Sequence, residues 1–126
     1  MYTPAPSMKE QVEEYVKYWQ KQLRLMDWVM TVEIYEDLEK CGGYGHAEHS
    51  KNFQTVKYGI LNPDKIPSDW VGTRDLEVTV VHEILHTRLT FLSVFKKENH
   101  HMEMGIETIA KALVANRRGI TPEELV

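Results

Sequence analysis

The chain has 126 residues, 42% of them hydrophobic, and 15 Lys and Arg against 19 Asp and Glu give a formal net charge of −4 at pH 7. That length suits one domain around one core, and the scattered Lys and Arg form no basic stripe, so nucleic acid is not an expected partner. No apolar run approaches the roughly 18 to 20 residues that span a bilayer, so no membrane partner is expected either, and the single cysteine, Cys41, has no internal disulfide partner.

Residues 1 to 6 carry two prolines and read as a flexible lead-in without the basic-then-apolar layout of a secretion signal. Ser7 with Glu10 makes a capping box. Val12, Tyr15, Val16, Trp19, Leu23 and Met26 then recur at helical spacing and predict a first helix with one apolar face. From Trp28 the period becomes two: Trp28, Met30, Val32 and Ile34 alternate against Val29, Thr31, Glu33 and Tyr35, a strand with one buried face ending near Tyr35. Gly42, Gly43 and Gly45 around Tyr44 lead into His46 to His49, a short edge strand. Phe53 to Leu61 alternates through Val56, Tyr58 and Ile60 and is stopped by Asn62, Pro63 and Pro67, which predicts a third strand.

Beyond Gly72, Asp75 and Glu77 favour a helix start, and Val78, Val81, Leu85, Leu89 and Leu92 supply its apolar stripe. A polar break at Lys96 to Asn99 precedes a last helix with Met102, Ile106, Ile109, Ala110 and Leu113 on one face, closed by Gly119. Residues 119 to 126 read as a frayed tail. Trp19, Trp28, Met26 and Met30 are expected in the core.

The third helix carries the chemistry. His82 and His86 stand four apart, so both project from one helix face about a turn from each other and can offer ring nitrogens to one tetrahedral zinc ion. Glu83 is rotated off that line, placed to reach a metal-bound water rather than the metal. There it accepts the proton as the water attacks a carbonyl and passes it to the leaving amine. A catalytic zinc, one per chain, needs a third protein ligand and an open position. His100, His101, Glu103 and Glu107 are the downstream candidates, and the helical wheel favours Glu103, at the edge of the face centred on Ile106 and Leu113. Glu107, one turn on, is then placed to accept a hydrogen bond from the other ring nitrogen of a ligating histidine. Tyr44, His46 and Tyr58 are candidate stabilisers of a developing oxyanion; His46, His49, His100 and His101 each read first as surface histidines, with any one of them open as such a donor.

The H-E-x-x-H at His82 to His86, followed by Glu103-x-x-x-Glu107, resembles the gluzincin arrangement of thermolysin-like peptidases, in which E-x-x-x-D supplies the third ligand and its neighbour; Glu107 stands where that pattern has Asp. The wider layout, with Leu23-Arg-Leu-Met-Asp-Trp28 opening a strand and Ile109, Ala110 and Leu113 after the ligand, is similar to small metallopeptidases of phage and bacterial origin grouped near SprT-like proteins, over about residues 8 to 116. Metzincins do not fit, because Leu89 and Leu92 hold the places of their Gly and His. The resemblance implies an α+β, minimal zincin-like fold: an N-terminal helix, a small, mostly antiparallel three-stranded sheet, an active-site helix and a C-terminal helix. The expected function is zinc-dependent hydrolysis of a peptide or protein substrate in the cytoplasm, a host's cytoplasm if phage-encoded. The alternative is a zinc-containing binding or regulatory protein with little or no proteolysis. No feature selects an oligomeric state.

Overall fold

Residues 5–72, 74–90 and 100–125 are described by a computed structural model. The expected lead-in at residues 1–4, the place of Leu92, the polar break at Lys96 to Asn99 and the final Val126 lie outside the described residues.

Helix α1 (Met8–Gln22) begins at the capping box: the Ser7 hydroxyl accepts from the Glu10 N–H at 3.2 Å and the Glu10 carboxylate accepts from the Ser7 N–H at 3.1 Å. Such a cap contributes about 1 kcal/mol. Its other end is a left-handed stop at Arg24 (φ 57°), with Leu25 N–H donating to the Gln20 carbonyl at 2.9 Å. This termination turns Leu25 into the core and leaves Met26, expected on the apolar face, 67% exposed.

Strands β1 (Val29–Tyr35), β2 (Gly45–Ser50) and β3 (Thr55–Leu61), with a short helix α2 (Leu38–Cys41) between the first two, make one sheet of order β1-β3-β2. Strand β3 runs antiparallel to β2 but parallel to β1, so the sheet is mixed rather than mostly antiparallel. The hairpin through residues 51–54 lays β3 between the other two, and because β1 and β2 run in opposite directions the strand between them is parallel to one of them. Met30, Val32, Ile34, Ala47, Val56, Tyr58 and Ile60 belong to the main core. The other face of the sheet carries Glu33 and Glu48 against Lys57, with the Lys57 Nζ 2.9 Å from Glu33.

Helices α3 (Leu76–Leu89) and α4 (His100–Arg118) complete an α+β architecture. Instead of one apolar stripe, α3 is buried almost all round, Val80 and Ile84 included, because α1, α4, β2 and β3 all pack on it. On α4 the buried positions are Met102, Ile106, Ala110, Val114 and Ala115, whereas Ile109 is 47% exposed. After Gly119 (φ 71°) the tail is folded back rather than frayed: Pro122–Glu124 forms a 3-10 turn and Leu125 packs against the core.

One buried polar cluster joins three of the helices. Glu77, 2% exposed, accepts from Trp19 Nε1 at 2.8 Å, from Arg117 Nη1, and from Arg118 Nη2 at 3.0 Å. Truncating Glu77 strands the Trp19 N–H inside the fold and leaves the two guanidinium groups short of an acceptor. Glu77→Ala is therefore expected to cost about 3 to 5 kcal/mol in urea unfolding, and Trp19→Phe, which keeps the charges paired, about 1 to 2 kcal/mol. Equal costs would show that the charges contribute nothing of their own.

Candidate metal centre

Helix α3 is started by Asp75, whose carboxylate accepts from the Val78 N–H at 3.1 Å and is gripped by Arg118 of α4. That contact fixes α4 along α3. One turn apart on the side that faces α4, the His82 and His86 rings lie 5.2 Å from centre to centre. Glu103, next to the buried Met102, reaches across: its two oxygens lie 2.8 Å from His82 Nε2 and 3.0 Å from His86 Nε2. One ligand atom from each of the three residues falls within 4.8 Å of the others, a group with the donor types of a metal site.

Two imidazoles and a carboxylate are a donor set suited to zinc. Around a tetrahedral zinc with bonds near 2.0 to 2.1 Å, neighbouring ligand atoms stand roughly 3.3 Å apart, so each histidine and Glu103 would need to part by only a few tenths of an ångström. Glu107 Oε1 accepts from His82 Nδ1 at 3.1 Å, which directs Nε2 to Glu103 and orients the ring. Burial alone disfavours the His82 imidazolium, but the hydrogen bond to Glu107, the charges of Glu83 and Glu107 and the hydrogen bond to Glu103 outweigh it and lift the group to about 9. With a carboxylate at each nitrogen, the ring holds two protons. A metal ion at Nε2 takes the place of one of them.

Glu83, 8% exposed, lies against β2. A Cβ added to Gly45 would stand 3.4 Å from its Oε2 and 3.0 Å from the Gly59 carbonyl, so the glycine makes the room in which the carboxylate lies. Glu83 and Glu103 border two recesses. A cleft of about 340 Å³ runs between β2 and the α3 end, lined by Gly45, Ala47, His49, His86 and Leu89 among others. A smaller one of about 180 Å³ lies on the other side, with Tyr44, Thr79, His82 and Glu107.

The remaining sequence candidates are distributed differently. Tyr44 borders the smaller recess, its hydroxyl donating to the Val71 carbonyl at 3.0 Å. Tyr58 is 1% exposed and its hydroxyl is engaged by Thr87, so it stands behind the cleft wall rather than in it. His46 is among the residues that border the larger cleft, but its ring lies over Gly59 on the sheet face turned away from α3, with its Nδ1 2.9 Å from the Cys41 carbonyl. His100 and His101 are exposed at the start of α4, outside the ligand group. His49 is not a surface residue: it is part-buried in the larger cleft, and burial with the nearby His86 holds its imidazolium below the ordinary range. Gly45 and Thr87 were not singled out either. A glycine at the head of a strand is a sign of close approach, whereas nothing marks Thr87 until the strands are placed. Cys41 is buried, and burial followed by the charge of Glu83 pushes its thiol up to about 11.

No family model, curated protein or solved structure matches this chain. Among the described residues no helix is long and apolar enough to cross a membrane.

The raised His82 value has a consequence for stability. In metal-free protein its contribution is complete below about pH 6.5, the ordinary value, and is lost as pH rises through about 9. The urea midpoint of chelator-treated protein is expected to fall over that interval, and His82→Gln to flatten the fall. A wild-type slope unchanged by His82→Gln would show that the carboxylates do not hold this proton.

Proposed function

We propose that this chain is a zinc-dependent peptidase that holds the metal through His82, His86 and Glu103 and hydrolyses peptide bonds with Glu83 as general base. The observation that carries this reading is the convergence of both Nε2 atoms on the Glu103 carboxylate beside a cleft that Glu83 also lines. The resemblance of the H-E-x-x-H and Glu103-x-x-x-Glu107 pattern to gluzincin-type peptidases points the same way.

Zinc held there supplies Lewis acidity, polarising a carbonyl oxygen and bringing the pKa of water toward about 7. Glu83, bounded by Gly45 rather than by a side chain, takes the proton from the attacking water at a carboxylate oxygen and delivers it to the leaving nitrogen. Glu107 keeps a proton on His82 Nδ1, so the Nε2 lone pair is the one presented to the metal. Among the described residues strand β2 pairs with β3 on one side only, and its other edge offers backbone groups to an extended polypeptide laid beside the cleft. The close His82–Glu103 and His86–Glu103 contacts also support a second reading, in which zinc only fastens α4 to α3 in a binding or regulatory protein.

Metal analysis of untagged protein by mass spectrometry is expected to find about one zinc per chain, lost from His86→Ala and from Glu103→Ala. Protein that stays folded and takes up no zinc would overturn both readings. Glu83→Gln separates them: a peptidase keeps its zinc and loses turnover by roughly 10²- to 10⁴-fold, whereas a binding protein keeps both zinc and partner affinity.

A further inference from the structure

Behind the wall of the larger cleft three polar side chains from three elements stand in a row. Tyr58 of β3 and Thr87 of α3 are each 1% exposed, and His49 of β2 lines the cleft with Glu83, His86 and Glu103. The Tyr58 hydroxyl lies 2.5 Å from Thr87 Oγ1, and Thr87 Oγ1 lies 2.7 Å from His49 Nε2. The edge-to-face contact of Trp28 with His49, centroids 5.9 Å apart, holds the imidazole from another side.

The direction of this chain follows from counting hydrogens. Thr87 has one hydroxyl hydrogen and two lone pairs, so it could accept from both neighbours, but its hydroxyl has no third partner among the described residues to take that hydrogen, and it therefore donates to one of the two. Donation to Tyr58 would leave the phenol hydrogen buried with no acceptor among the described residues, the costlier arrangement. Donation to His49 uses every hydrogen: Tyr58 O–H points to Thr87 Oγ1, and Thr87 O–H points to His49 Nε2. Burial pushes the Tyr58 phenol well above its ordinary value, so that first proton stays in place. With Nε2 acting as acceptor, the neutral ring carries its hydrogen on Nδ1. Among the described residues nothing accepts from His49 Nδ1, and it is not one of the partnerless side-chain nitrogens closed off from solvent, which comprise only His46 Nε2. The Nδ1–H is therefore not sealed from solvent, and His49 borders both the larger cleft and a recess beside Val29, Thr31 and Val56.

We propose that His49 is a catalytic hydrogen-bond donor of the cleft, presenting Nδ1–H to the carbonyl oxygen of a bound polypeptide and stabilising the negative charge that develops there on attack. Tyr58 and Thr87 are positioning residues that set its tautomer. The substrate named here rests on the peptidase reading; the position of the proton rests on the hydrogen-bond geometry alone.

The test uses the zinc-loaded full chain, with ¹⁵N-labelled imidazoles, as wild type, His49→Phe and Thr87→Val. His49→Phe keeps an aromatic ring against Trp28 without the N–H, and Thr87→Val removes the hydroxyl with little change of shape. Three quantities are read on each: the His49 tautomer by NMR where the histidine is present, zinc content, and kcat and KM on a quenched-fluorescent peptide pool. The expected result is a proton on Nδ1 in wild type that moves to Nε2 in Thr87→Val. All three chains should carry equal zinc. In His49→Phe, kcat should fall roughly 10²- to 10³-fold with KM almost unchanged, and in Thr87→Val roughly 10- to 100-fold. A wild-type proton on Nε2, loss of zinc from His49→Phe, or full turnover by His49→Phe would each overturn the proposal. A wild type that cleaves nothing in the pool sinks the peptidase reading and the substrate with it, while the spectrum of the same sample still decides whether His49 is the donor assigned here.

Discussion

Helix α3 is buried on nearly every side and yet carries Glu77, His82, Glu83, His86 and Arg88 among its 14 residues. Polar groups so enclosed need partners, and an unmet one costs as much as several apolar contacts return. Partners come from every packed layer. Trp19 of α1 and Arg117 and Arg118 of α4 meet Glu77; Glu103 and Glu107 of α4 meet the histidines; Tyr58 of β3 and His49 of β2 meet Thr87. The adhesion itself is apolar. Each of Val78, Val80, Val81 and Ile84, all 1% exposed or less, contributes about 1.5 to 3 kcal/mol, whereas buried ion pairs roughly cancel their own desolvation. What the polar contacts fix is orientation. Rotating α4 by one residue, about 100°, would carry Glu103 off the histidines and Arg118 off Asp75 together.

How much of this the sequence disclosed depended on how local the cause is. The capping box at Ser7, the period-two run from Met30 to Ile34 and the His82–His86 spacing are set within a few residues, and the structure has these features where the pattern puts them. Glu103 beside the ring nitrogens was accessible for a related reason: a helix with Met102, Ile106 and Ala110 inward has its acidic rim at 103 and 107. What escaped was decided across elements. The parallel pairing of β1 with β3 depends on where the β2 hairpin returns, which no alternation of residues encodes. Met26 fits the wheel of α1 and is still outside, because the stop at Arg24 ends the wheel first. His46 and His49 look alike on one strand, and only the pairing opposite Gly59 and Val56 sends one ring away from α3 and the other toward it. Tyr58 belonged to the right neighbourhood, one hydrogen bond behind the cleft.

The His82, His86 and Glu103 group is assembled without any ion. With both His82 nitrogens on carboxylates, protons occupy the place that a metal would take, α4 is already docked, and each His–Glu103 contact is within a few tenths of an ångström of the roughly 3.3 Å between ligands of a tetrahedral zinc. A structural zinc site behaves otherwise: its ligands come together only because binding supplies the folding free energy. Here the core beneath, from Val12 and Trp19 through Ile60 to Ile106 and Val114, is continuous without the site. Ligand atoms that are already in position, a carboxylate given room by a glycine and a cleft opening beside them are conditions under which binding energy is left for substrate rather than consumed in building the fold. Holding Glu83 buried beside Glu103 and Glu107 concentrates negative charge, and His82 answers it by keeping its proton to about 9. A divalent cation at the proposed site would answer it more fully, relieving the repulsion among the three carboxylates beside the base proposed at Glu83.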